Sequence, residues 1–122
     1  MSRLADRSVA HLRAALASVQ ADAGGGTAVL VGAALGASLL AMAAAVTNRR
    51  TPSKALDELG RKADLAAERL LDLAEADGCA YARVLEARRL ARETPEEEAV
   101  RQRCLEEALQ EALRVPLEAA TL

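Results

Sequence analysis

The residue that most invites chemistry in this 122-residue chain is Asp77. It lies seven positions after Leu70, four after Leu73 and four before Tyr81, where apolar residues recur at helical spacing. At 3.6 residues per turn it falls on the apolar stripe, while Asp64, Glu68, Asp72 and Glu75 form a solvated polar side. A carboxylate on that stripe must be paired, hydrogen-bonded, or raised in pKa enough to exchange protons near neutrality. The last case suits a general acid/base. The bland alternative is a stripe that breaks at Gly78 and leaves Asp77 exposed. Spacing leaves both open.

The second candidate is the run Gly24-Gly25-Gly26-Thr27. Glycines before a helix permit positive φ and let backbone N–H groups approach a ligand closely, with the helix N-terminus offering partial positive charge. No Gly-Lys-Ser/Thr follows, and the spacing is not that of a dinucleotide fingerprint. The competing reading is a flexible loop that includes Asp22 and Ala23. One histidine, His11, and two distant cysteines, Cys79 and Cys104, supply no tetrahedral zinc site, so no metal is expected. His11 sits off its helix's apolar stripe and is given no role.

Composition narrows the class further. Net charge is −2, the pI is near 5.5, and no basic cluster exists to neutralise phosphates, which argues against a nucleic-acid partner. Two unclustered cysteines do not build a secreted disulfide scaffold, so a reducing cytosol is expected. Met1 to Gln20 carries charges throughout and lacks the apolar run of a signal peptide.

These residues must be positioned by helices. Alanine and leucine make up 50 of the 122 residues, with no Ile, Phe or Trp, and Ala, Leu, Arg and Glu are strong helix formers. Sheets draw on β-branched and aromatic residues that are scarce here. An all-α helical bundle is expected, forming one domain over 1–122, with one buried Ala/Gly-rich helix and long amphipathic helices. Ser8 caps a short first helix bearing Val9, Leu12 and Leu16 on one face. An uncharged helix spans about Thr27 to Thr47. Its length matches a bilayer span, and Gly32 and Gly36 form a small-xxx-small pair. Eight of the nineteen residues from Ala28 to Val46 are alanine, however, and no aromatic belt flanks them, which favours burial in protein.

A long pattern then runs from about Lys54 to Arg92, with Leu56, Leu59, Ala63, Ala66, Leu70, Leu73, Tyr81 and Val84 on its stripe and bends expected at Gly60 and Gly78. Thr94-Pro95-Glu96-Glu97 marks the start of a last helix, which reaches about Arg114 before Pro116 kinks or restarts it.

In order along the chain stand the short first helix, Gly24-Gly25-Gly26-Thr27, Gly32-Ala33-Ala34-Leu35-Gly36, Asp77-Gly78-Cys79-Ala80-Tyr81, Arg89-Leu90, Thr94-Pro95-Glu96-Glu97 and Val115-Pro116-Leu117. This ordered set resembles the cyclodeaminase / methenyltetrahydrofolate cyclohydrolase family, which includes the C-terminal domain of formimidoyltransferase-cyclodeaminase. The resemblance implies a cytoplasmic all-helical enzyme that forms a homodimer or larger homo-oligomer. Its substrate would be a one-carbon tetrahydrofolate derivative, with no tightly bound cofactor. Asp77 would match the family's acid, and Gly24, Gly25, Gly26 and Thr27 its substrate-side loop. Membrane insertion is not expected on this view.

The chain departs from the family at Ala23 and Thr27 beside the glycines, at Asn48-Arg49-Arg50-Thr51, and at Tyr81, where Phe is more usual. Relatives also continue with further helices beyond the position of Leu122, so the domain is expected to be incomplete. The alternatives are a catalytically inactive helical dimerisation protein and a single-span membrane protein.

Overall fold

The computed structural model describes residues 3–18 and 24–122; Asp22 and Ala23 lie outside them. Among the described residues there is no strand. A short 3₁₀ turn, Leu4–Asp6, is followed by α1 (Val9–Leu16), α2 (Gly25–Arg50), α3 (Lys54–Arg88) and α4 (Pro95–Ala120). The all-α expectation holds.

Local chemistry explains the element starts. Ser8 Oγ accepts from the His11 N–H at 3.0 Å and caps α1. Thr94 Oγ1 accepts from the Glu97 N–H at 3.1 Å, and Pro95 occupies the first turn of α4, where its missing N–H is harmless. Between α2 and α3 the turn is closed by Asn48, whose Oδ1 accepts from the Ser53 N–H at 2.7 Å. So short a connection forces α2 and α3 to run antiparallel.

α3 is the central element, with α2 and α4 both packed against it. Gly60 meets α2 closely: a Cβ there would stand 3.5 Å from the Ala44 Cβ and 3.8 Å from the Ala41 carbonyl oxygen. The main core gathers Leu30 and Ala34 of α2, Leu70, Leu73 and Ala74 of α3, Val115 of α4, and Leu4 from the N-terminal turn. A second cluster joins Val84 and Ala87 to Ala108. Glu75 anchors the N-terminal turn by accepting from the Leu4 N–H, and Arg3 pairs with Asp72 at 3.6 Å.

Several expectations need correction. α2 begins at Gly25 rather than Thr27, so two of the three glycines lie inside the helix, and no described glycine has positive φ. α3 ends at Arg88 and runs through Gly60 and Gly78 without interruption. On its stripe, Leu59 and Tyr81 are exposed, as is Val9 on α1. α4 continues through Pro116 to Ala120. There Val115 is fully buried, and Glu118 pairs with both Arg69 of α3 and Arg114. Packing and ion pairs on either side hold the turn that proline disfavours locally.

The largest correction concerns α2. Within this chain only Thr27, Leu30, Ala34 and Ala44 are buried on it, the stripe that faces α3. Val29, Leu35, Leu39, Met42 and Val46 are exposed, and a Cβ at Gly32 or Gly36 would meet nothing within 4 Å. α2 is long and apolar enough to cross a membrane.

Candidate functional site at the N-terminus of α2

Because α2 and α3 are antiparallel about a turn near Pro52, residues equally far from it on either side come level. Ala44 thus lies against Gly60, and Thr27 against Asp77, twenty-five positions out on each arm. This register brings the glycine run and the acid to one end of the helix pair. Asp77 is half-buried, and α3 does not break at Gly78 to release it.

Thr27, fully buried, donates from its Oγ1 to Asp77 Oδ2 at 3.2 Å. Of the three environments expected for a carboxylate on the stripe, this is the hydrogen-bonded one. Gly26 explains how the carboxylate comes so near. A Cβ at that position would lie 2.7 Å from Asp77 Oδ2, 2.8 Å from Oδ1 and 3.0 Å from Cγ, which no side chain tolerates without displacing the acid. The carboxylate therefore rests over the first turn of α2. The Ala28 N–H is the first to bond within the helix, to the Gly24 carbonyl, so the N–H groups of Gly25, Gly26 and Thr27 have no intrahelical acceptor. The positive end of the helix dipole faces a negative group.

Asp77 Oδ2 is held by Thr27, whereas Oδ1 makes no further hydrogen bond among the described residues. A carboxylate fixed on one oxygen and without a hydrogen bond on the other can take a proton from one atom of a ligand and return it to another. Gly26, Thr27 and Asp77 come together as one unit. Gly24 and Gly25 form the cap and the first helical position of α2, with open space where a Cβ would be. Sequence reasoning assigned Gly26 to a ligand, but its observed neighbour is Asp77. It also missed Glu75 and Leu4, whose contact spans 71 positions and leaves no local signal. Among the described residues no group of three or more His, Cys, Asp or Glu side chains could hold a metal ion. At the far end of the helix pair a groove of about 500 Å³ is lined by residues including Asn48, Arg49 and Arg61, well away from Asp77.

The class defined by this geometry is an all-helical domain whose central helix sets one carboxylate against the glycine-rich start of its neighbour. The sequence pattern of the formiminotransferase-cyclodeaminase family matches residues 8–122, nearly the whole chain. The chain belongs to that family and corresponds to its C-terminal cyclodeaminase domain. It is similar to formimidoyltransferase-cyclodeaminase of Mus musculus, 39% identical over 101 residues, covering 80% of this chain and 19% of that protein. The Rattus norvegicus protein of the same name is 37% identical over 118 residues, covering 91% and 22%. That of Sus scrofa is 34% identical over 104 residues, covering 82% and 19%. The chain spans about a fifth of the length of the curated relatives it matches.

Proposed function

We propose that this chain acts on a one-carbon derivative of tetrahydrofolate in the cytoplasm, as a formimidoyltetrahydrofolate cyclodeaminase or a methenyltetrahydrofolate cyclohydrolase, with Asp77 as its general acid/base. The observation that carries the reading is the Asp77 carboxylate, held by Thr27 on one oxygen and, among the described residues, without a hydrogen bond on the other. Both reactions move a proton between two atoms attached to one carbon. In cyclodeamination N10 attacks the formimidoyl carbon, the bond from that carbon to its terminal nitrogen breaks, and ammonia leaves. With the formimidoyl group reacting as its amidinium cation, N10 gives up the one further proton that the terminal nitrogen needs. In cyclohydrolysis water adds to the cationic methenyl carbon and the bond to N5 breaks; of the two protons water loses as the formyl C=O forms, one goes to N5 and the other to solvent. One carboxylate serves as base and then as acid in either sequence. Gly24 and Gly25, open at the start of α2, stand where the substrate would lie, and no tightly bound cofactor is invoked.

The same reading assigns the outer face of α2 to a second copy of the chain. α3, charged along much of its length, lies against α2 from Asp77 to Gly60, so moving α2 into lipid would strip that contact or carry charges with it. An uncharged face that includes Gly32 and Gly36 offers an identical copy no repulsion and close backbone approach.

Absorbance assays on methenyl- and formimidoyl-tetrahydrofolate test the activity. Asp77→Asn is expected to lower turnover by roughly 10²–10⁴-fold with helicity intact. Wild-type turnover in that variant would show that the proton is handled elsewhere.

A further inference from the structure

Tyr81 is the chain's one aromatic residue among Phe, Trp and Tyr, and it stands 44% exposed. Its exposure does not come from pointing away from the core. Four residues after Asp77, it lies about 6 Å further along α3 and only about 40° further around it. Ala74, seven residues back and within about 20° of it around the helix, is buried. Among the described residues the covering elements stop short of the ring. α2 begins at Gly25, level with the turn between Asp77 and Tyr81, while one turn further on Val84 is covered by α4 through Ala108. Among the described residues a window one turn wide is left open on the inward side of the central helix. It begins beside the carboxylate, and an exposed phenol ring forms part of its floor.

We propose that Tyr81 is the stacking platform for the pterin ring of the substrate, a positioning contact that sets the one-carbon centre against Asp77. The inference rests on the folate reading above and deepens it. The pyrimidinone half of a tetrahydropterin is flat and can lie on an aromatic face, and N5 of the substrate is bonded directly to that ring. A ring laid on Tyr81 presents its N5 edge one helical turn along, toward the Asp77 carboxylate. The phenol hydroxyl takes no part in the chemistry, so phenylalanine serves as well. Leucine, of comparable bulk but without a π face, does not.

The test compares Tyr81→Ala, Tyr81→Leu and Tyr81→Phe in the full chain. Loss of a base–aromatic stack typically weakens binding by roughly 5- to 150-fold, so KM should rise by that order in the Ala and Leu variants. Their kcat should stay within a few-fold of wild type, and Phe should restore both. In the wild-type protein, titration with the unreactive 5-formyltetrahydrofolate should move the Tyr81 ring proton resonances upfield. These are unambiguous in a chain with one tyrosine. An unchanged KM in the Leu and Ala variants, or unmoved Tyr81 resonances at saturation, overturns the platform while wild-type turnover keeps the folate reading. Equal losses in Phe and Ala assign the residue's role to its hydroxyl and overturn stacking. A wild-type chain that neither binds nor converts any folate derivative removes both.

Discussion

Replacing Gly26 by alanine probes the site at its tightest point. The new Cβ would stand 2.7 and 2.8 Å from the Asp77 oxygens, whereas ordinary contact begins at 3.4 Å. The carboxylate must therefore retreat by about 0.7 Å, the difference between those two distances. Moving directly away stretches its 3.2 Å bond from Thr27 Oγ1 beyond hydrogen-bonding range. A hydrogen bond to a charged group contributes about 1.5–3 kcal/mol, and alanine returns up to about 1 kcal/mol of helix propensity relative to glycine. The net effect on stability should be a modest loss, near 1 kcal/mol, seen as a small shift in thermal melting followed by circular dichroism. Activity should suffer far more, since a misplacement on the order of 1 Å at a reacting group can cost about 10²-fold. Gly60→Ala is the matched control, because it adds the same methyl group with only ordinary contacts, far along the helix pair, and leaves the Asp77–Thr27 pair untouched. Wild-type turnover of formimidoyl- and methenyl-tetrahydrofolate by Gly26→Ala would refute the argument that this glycine exists to seat the carboxylate. So would an equal loss in both variants.

Three further outcomes follow from other parts of the fold. Gly60→Ala should stabilise the protein by about 0.5–1 kcal/mol in denaturant titrations, because its Cβ gains ordinary contact with Ala44 while α3 gains propensity; a destabilised variant would mean the helices cannot accept the methyl group. Gly32→Leu adds a side chain on the open face of α2 and leaves the fold of one chain unstrained, yet it should lower the mass seen by light scattering or cause aggregation; an unchanged mass, or a monodisperse wild-type monomer, would remove α2 from the interface. Acid should weaken α4 and its contact with α3. The Arg114 guanidinium bonds Glu111, and the Arg69 guanidinium bonds Glu118, holding both carboxyls below their ordinary 4.5. A depressed folded value means that this support is fully present above the unfolded value and is lost as pH falls through the folded one. The melting temperature should therefore decline below about pH 4.5, and less steeply in Arg114→Ala; identical pH profiles would show that the pairs contribute nothing.

Helix existence and caps were legible because they are local. Ser8, Thr94 and Pro95 act on the backbone within one turn, and each does what its type predicts. The proline that failed as a signal, Pro116, was overruled from a distance. Buried Val115 and the Arg69–Glu118 pair hold α4 to α3 on both sides of it, and neither can be weighed from the α4 sequence alone. The stripe was less legible than its period suggested. Helical spacing tells which sector of α3 a side chain occupies, but not how far along that sector another helix extends. Leu59 and Tyr81 have stripe positions and are exposed all the same.

The site itself was more legible than the reading of its separate motifs used. A Pro-containing turn of three residues between two long helices acts as a mirror, so position 52 minus k must come level with position 52 plus k for as long as both helices last. Applied to k of twenty-five, that rule brings Thr27 to Asp77 from sequence alone. It also turns the glycine preceding Thr27 from a loop residue into the space a carboxylate needs. The same mirror shows where α2 runs out: Gly24 reflects to Ala80, and the next position on α3 is Tyr81. What no reflection supplies is the other side of α2, because a helix apolar all round states that it is covered without stating by what. The acid, its threonine and the bare ring all follow from two helices and one turn, so the chemistry proposed for them can be tested without knowing what covers that outer face.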